Sequence, residues 1–111
     1  MVRSILTASG LPFRRSHFHK PPEDTYAVFF DDVDVDGPDR VETLAAAGLP
    51  CIYRHDVSIE VYAPYQDDAA EAAIEAAMKA RGILWHKEDR FWLQDVQRFQ
   101  TVYTFSYTAK N

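Results

Sequence analysis

The chain has 111 residues, a length that suits one domain (residues 1–111) with its own core rather than a catalytic domain joined to a regulatory one. Hydrophobic residues make up 47% of it, which is typical of a globular protein, and the net charge of −5 argues against a surface built to grip nucleic acid. No apolar run suits a membrane span, and the N-terminal one is too short for a signal peptide. We therefore expect the chain to fold in the cytosol, without a membrane partner.

The first third of the chain predicts one short helix and two strands. Val2–Ser9 can form a helix that Gly10 ends in a left-handed conformation, and residues 13–18 can be extended. Residues 26–30 are rich in β-forming side chains and predict a buried strand. The acidic residues 31–39 that follow predict an exposed strand end leading into a long loop.

The clearest pattern is a strand over residues 55–63 followed by a helix over residues 67–81. Apolar residues share one face of each element, namely Val57, Ile59, Val61 and Ala63 in the strand and Ala70, Ala73, Ile74, Ala77 and Met78 in the helix. The opposite helix face is predicted to lie in water and carries Glu71, Glu75 and Lys79. Asp67 is the predicted N-cap, and Gly82 suits the left-handed position after the helix, with Ile83 touching Met78.

The last third predicts a β-hairpin from residues 84–93 and 98–108. Its second strand carries an aromatic-rich face of alternating residues, namely Phe99, Thr101, Tyr103, Phe105 and Tyr107. Such a strand is expected inside a sheet. The predicted fold class is therefore α+β, a mostly antiparallel sheet of about five strands with two main helices packed on one face, in the order α-β-β-β-α-β-β.

The sharpest local motif is acidic. Asp32, Asp34 and Asp36, followed by Gly37, match the start of a calcium-binding loop, in which alternate carboxylates converge on one ion. The twelfth position, which needs a bidentate Glu, is Thr43. We therefore interpret the segment as a solvated acidic loop, with calcium binding as the alternative.

Other chemistry has weaker support. His17 and His19 could bind zinc together with His55 or His86, but surface or hydrogen-bonded histidines explain the pattern as well. The single cysteine, Cys51, excludes an intramolecular disulfide framework, and its apolar context favours a buried thiol over a nucleophile. Because phosphate-binding, dinucleotide-binding and hydrolase motifs are absent from the sequence, we expect no enzyme activity and no cofactor.

Taken in order, several segments resemble one known family. They are Gly10-Leu11-Pro12, Ser16-His17-Phe18, Pro21-Pro22, Tyr26-Ala27-Val28-Phe29-Phe30, Val57-Ser58-Ile59-Glu60-Val61-Tyr62, Lys87-Glu88-Asp89-Arg90-Phe91-Trp92, and Phe99-Gln100-Thr101-Val102-Tyr103-Thr104-Phe105. In this order and spacing, the chain resembles the tail terminator or tail-completion proteins in the neck of long-tailed bacteriophages, in the small form found in phages and prophages of Gram-positive bacteria. Two features depart from the family: the first helix is short, and residues 36–50 look like a local elaboration.

The resemblance implies a structural role in the virion. Such a protein forms a ring, typically a hexamer, that caps the tail tube, ends tail polymerisation and joins the tail to the head-completion or connector protein, while DNA passes through without specific binding. The residues that we expect to line the lumen are Asp31, Asp32, Asp34, Asp36 and Asp39, since hydrated carboxylates there would repel DNA phosphates. The alternative function is a small acidic adaptor or metal-binding protein, with calcium at residues 32–36.

Overall fold

The computed structural model describes residues 1–35 and 52–110. These residues form, in chain order, α1 (Val2–Ser9), β1 (Phe13–Arg15), β2 (Tyr26–Val35), β3 (Ile52–Ala63), α2 (Asp68–Ala80), β4 (His86–Lys87), β5 (Phe91–Leu93) and β6 (Arg98–Lys110). Residues 36–51 lie outside the described part of the chain, and they include Asp36, Asp39 and Cys51.

The strands form one sheet in the order β1-β2-β3-β6-β4, with β5 also paired to β6. Every pairing is antiparallel except that of β1 with β2. The predicted α+β class, with a mostly antiparallel sheet, is confirmed. The last strand lies inside the sheet, as predicted, because β3 pairs with one of its edges and β4 and β5 with the other.

The sheet has six described strands rather than five, partly because the first strand of the predicted hairpin is divided. His86 pairs with Thr104, whereas Phe91 pairs with Gln100, so the register shifts by one residue between β4 and β5. A shift of this kind is a β-bulge, which bends the strand and redirects its side chains. The bulge turns Arg90 towards α2, as described below.

Both helices cover one face of the sheet and enclose the core. From α1, Ile5 and Leu6 are fully buried against residues of α2 and the sheet. Gly10 ends α1 with φ 78°, a left-handed conformation that glycine adopts without a Cβ clash. The predicted first helix and its end are therefore confirmed.

The predicted core stripe and caps of α2 are also present. Ile74 and Met78 are fully buried. The Asp67 carboxylate accepts a hydrogen bond from the Ala70 amide at 3.0 Å, as an N-cap does. At the other end Gly82 has φ 68°, and the Ile83 amide donates to the Met78 carbonyl at 3.1 Å. This is the bond pattern of a Schellman cap.

The predicted water-facing side of α2 is wrong at Glu71. This residue is only 6% exposed, because the bulged β4–β5 segment crosses the helix and covers it with Arg90 and Lys87. Glu75 is half-buried by the same segment, and Lys79 is exposed as expected. One side of α2 thus packs in the core and another binds an edge of the sheet through charged groups.

Candidate functional site

Three strands continue past the helices and form a sheet arm. We define this arm as residues 31–35 of β2, 52–56 of β3 and 106–110 of β6, which lie side by side in the register Asp32–Asp56–Ser106. At about 3.3 Å per residue, five residues extend the sheet by about 17 Å. The molecule measures 53 × 28 × 22 Å along its principal axes, so it is elongated.

The arm contributes little to the hydrophobic core. None of the arm side chains that the structure describes is buried, whereas the same three strands supply fully buried residues beside the helices, such as Ile59 and Tyr103. Val33 and Ile52 are exposed on the arm. Within residues 1–35 and 52–110, these strand ends cover no core, which makes the arm the leading candidate for a contact surface.

The described carboxylates of the acidic segment point to both faces of this arm. Asp31 lies on the helix side, opposite Val57, whereas Asp32 and Asp34 lie on the other side, opposite Asp56 and Arg54. All three belong to β2 rather than to a loop. A surface that faces Asp32 and Asp34 therefore does not also face the Asp31 side chain.

Asp31 forms a small polar cluster with a histidine and a tyrosine. Its carboxylate lies 3.0 Å from Nδ1 of His55, and the His55 ring stacks on Tyr107 with ring centroids 4.5 Å apart. Burial, and then the charge of Asp31, raises the pKa of Tyr107. The guanidinium of Arg15 also donates to the Asp31 carbonyl. The cluster fixes the base of the arm against β1.

On the opposite face of the arm, Asp56 is held by its neighbours. Ser106 donates to its carboxylate at 2.6 Å, and the Arg54 guanidinium lies 3.2 Å away. The hydrogen bond from Ser106, followed by the charge of Arg54, lowers the pKa of Asp56. These contacts offset the repulsion that Asp32 and Asp56 exert as directly opposed carboxylates.

An open groove of about 660 Å³ lies beside these carboxylates. Its walls include Phe30, which is 42% exposed, and Leu84, which is 92% exposed. Trp85 lines it from the β4 side. Exposed apolar side chains next to carboxylates are suited to contact with another protein, and the groove is too open to enclose a small ligand.

A charged network fixes the β4–β5 edge to α2. Glu71 accepts hydrogen bonds from Arg90 at 2.7 Å and from Thr101 at 2.9 Å, and it lies 2.9 Å from Lys87. Glu75 accepts from Lys87 at 2.8 Å and from the Tyr103 hydroxyl at 2.6 Å. Every polar group in the network has a partner, which is the property of a structural brace rather than of a reactive centre.

The network shifts the pKa values of its members in the directions expected of paired charges. Burial alone would raise the pKa of Glu71, but hydrogen bonds from Arg90, Lys87 and Thr101 outweigh it and lower that pKa. The pKa of Glu75 is lowered in the same way, against burial, by Lys87 and Tyr103. Burial, and then the bond to Glu75, raises the pKa of Tyr103.

The other sequence candidates are not brought together. His17, His19 and His86 are exposed, and His55 pairs with Asp31. Within residues 1–35 and 52–110, no three His, Cys, Asp or Glu side chains are placed to share a metal ion. Asp34 instead accepts a hydrogen bond from the amide of Val35. Neither of the two helices described has the length and apolar character needed to cross a membrane.

Comparison with known proteins adds no assignment: no family model and no curated protein matches the chain. Sequence reasoning missed the Asp31–His55 pair and the Glu71 network. The pairing of His55 with Asp31 follows from a diagonal position across β2 and β3, which the strand register alone determines. The charged run Lys87-Glu88-Asp89-Arg90 was a sequence signal for ion pairs at this edge, although it did not identify the partners.

Proposed function

We propose that this protein is a tail terminator of a long-tailed bacteriophage, a structural protein of the virion neck with no enzymatic activity. It would be made in the bacterial cytoplasm and would form a ring, typically of six copies. The ring would cap the tail tube, stop tail polymerisation and bind the head-completion or connector protein, with DNA passing through its lumen. This proposal starts from the ordered resemblance of the chain to that family.

The observation that carries the proposal is the sheet arm. A protein that acts by contact with other proteins of the neck needs a large exposed surface on a rigid support. The arm provides it, since its strands are anchored beside the helices by Ile59 and Tyr103, whereas none of the arm side chains that the structure describes is buried. The open groove beside Phe30 and Trp85 extends that surface.

The arm also supports the proposed passage of DNA. Asp32 and Asp34 are exposed on one face, and no described side chain forms an ion pair with either. Burying such carboxylates at a subunit boundary without cations would cost several kcal/mol each. In a lumen they would remain hydrated and would repel phosphates. We propose the same location for Asp36 and Asp39, which lie outside the described residues.

Gene deletion in a phage that encodes the protein tests the proposal. A tail terminator mutant should accumulate free heads and tails of irregular length, visible by electron microscopy, and the wild-type gene supplied from a plasmid should restore joined particles. Deletion of an unrelated lysis gene is the control, since it should leave particle assembly intact. Normal, infectious particles from the deletion strain would refute the function.

A further inference from the structure

The two edges of the sheet carry opposite charge. The first 22 residues include four Lys or Arg residues and no Asp or Glu, whereas the rest of the chain has 8 basic and 17 acidic residues. We define the basic edge as residues 13–20, around β1, and the acidic edge as residues 86–95, around β4 and β5. β1 and β4 lie at opposite ends of the strand order.

The cations of the basic edge are not neutralised within the described chain. Arg14 donates only to the Phe13 carbonyl and lies over the Phe18 ring, and Arg15 donates to the Asp31 carbonyl. Lys20 is exposed and forms no ion pair with any described residue. Three positive charges thus belong to the segment at one edge of the sheet.

The acidic edge shows the reverse arrangement. Its two cations, Lys87 and Arg90, are turned inward and paired with Glu71, Glu75 and Asp68 of α2. The exposed carboxylates of this edge form no ion pair with any residue that the structure describes. They are Glu88, Asp89 and Asp95. The internal pairing therefore removes the cations that would otherwise balance this edge.

Apolar area lies next to those carboxylates. Phe91 is 48% exposed and Trp92 is 40% exposed, both on β5. Aromatic side chains next to charged groups are typical of protein interfaces, where they supply contact area and the charges select the partner. Charged residues at a sheet edge often prevent association, whereas opposite charges on two facing edges attract each other.

We propose that the basic edge of one copy of this chain binds the acidic edge of the next, so that copies associate head to tail. Opposite charges favour this contact, whereas symmetrical pairing of either edge with itself would bring like charges together. A head-to-tail contact forms a closed ring when its rotation closes. The inference deepens the proposed function, on which it rests, because it names the two surfaces through which the ring subunits would meet.

The strand directions permit the contact. β2 and β6 are both antiparallel to β3, so β1, which is parallel to β2, runs in the same direction as β6. β5 is antiparallel to β6. When copies repeat around an axis along the strands, β1 of one copy therefore lies antiparallel to β5 of the next. Like the strands of most sheets, the neighbouring edges would then run in opposite directions.

Charge reversal with purified protein tests the proposal. One variant carries Arg14→Glu and Arg15→Glu, a second carries Glu88→Lys and Asp89→Lys, and a third carries all four substitutions. Masses are measured by analytical ultracentrifugation at low and high salt, and circular dichroism checks folding. The matched control is Lys79→Glu, which reverses an exposed charge of α2 that belongs to neither of the two edges as defined above.

The wild-type chain and the control should form an oligomer that weakens at high salt. Each two-residue variant should be monomeric, with association weakened at least tenfold. An equal mixture of the two should associate again with the variants alternating, because one contact joins the two native edges and the next joins the two reversed edges. The four-residue variant should form the full oligomer again, since its charges are exchanged rather than lost.

Three results would overturn the proposal. They are a wild-type chain that stays monomeric at its highest attainable concentration, an oligomer that persists in either two-residue variant, and a mixture of folded variants that fails to associate. If the four-residue variant does not fold, the mixture still decides. Because no phage component is present, normal tails after gene deletion would refute the proposed function while leaving this contact intact.

Discussion

β2, β3 and β6 each run through two parts of the sheet. One part is covered by α1 and α2 and is called the body here, and the other is the sheet arm. In the body, alternate side chains of β3 such as Ile59 are fully buried, and Glu71 of the covering helix is paired with Lys87. In the arm, the same alternation continues, but no described side chain is buried. The difference shows that strand length and core size are set independently, since the helices end before the strands do. The following experiments test how separate the two regions are.

The largest effect is expected from a cavity in the body. Ile74→Ala removes a fully buried side chain from the α2 stripe and should lower the free energy of unfolding by about 2–5 kcal/mol. Val33→Ala, which truncates an exposed β-branched residue of the arm, is the matched control and should change it by at most about 0.5 kcal/mol. Urea denaturation measures both. Equal losses would show that the arm is as integral to the core as α2.

The next largest effect is expected from the charged network around Glu71 and Glu75. Glu71→Ala leaves Arg90, Lys87 and Thr101 without their shared acceptor and should cost about 2–3 kcal/mol. Glu75→Ala should cost less, about 1 kcal/mol, because Glu75 is only half-buried. Thermal unfolding of the two variants beside the wild type measures the order. The reverse order would mean that Glu75 contributes more to the stability of the fold than Glu71 does.

Acid should weaken the body through the same groups. The pKa values of Glu71 and Glu75 lie below their ordinary value of 4.5 in the folded protein, so their stabilising effect is present above that value and is lost as pH falls through the folded pKa values. Stability should therefore fall below about pH 5, and less steeply in Glu71→Gln. Urea titrations at several pH values measure this difference. Parallel curves would exclude Glu71 as a contributor.

A smaller effect on folding is expected from the arm carboxylates. Asp32→Asn, Asp34→Asn and Asp36→Asn together should change the free energy of unfolding by at most about 0.5 kcal/mol, because the two described residues among them are exposed. Ring assembly and finished tails should be normal, with altered passage or retention of DNA. Loss of ring assembly would instead place this segment at the contact between subunits.

The smallest effect is expected from calcium. We expect no change in the melting temperature when calcium is added, since Asp34 already accepts a backbone hydrogen bond and the segment starts on a strand. A chelator-treated sample provides the reference. A clear rise with calcium that Asp34→Asn abolishes would identify a metal site at residues 32–36.

Sequence reasoning predicted what depends on local order. The alternation of β3 and the apolar stripe of α2 repeat every few residues, and the caps of α2 at Asp67 and Gly82 depend on neighbouring residues. These features can therefore be read from the sequence without knowledge of any tertiary contact. The burial of Glu71 was missed because its partners Arg90 and Thr101 lie 19 and 30 residues away along the chain. The parallel pairing of β1 with β2 and the division of β4 from β5 likewise depend on how distant segments pack.

The candidate site was harder to predict from the sequence, for a related reason. The acidic composition of residues 31–36 marked this region as exposed, but composition does not say to which face each carboxylate points. That depends on the register of β2 with β3, which sets Asp31 beside His55 and Asp32 opposite Asp56. The sequence alone does not show that residues 13–20 and 86–95 form opposite edges of one sheet. The difference in charge between the two edges was therefore recognised only from the strand order.

The central position of β6 has a consequence for the order of events during folding. β6 pairs with β3 across separations of 36 residues, at Ala63 and Phe99, to 58 residues, at Ile52 and Lys110. Pairing over such distances is slow, because a long loop must close first. Among the described strands, β4 and β5 pair only with β6, so the acidic edge is not completed until β6 has paired with β3. In the assembly that we propose, a half-folded chain would thus lack one of the two contact edges and could not close a ring.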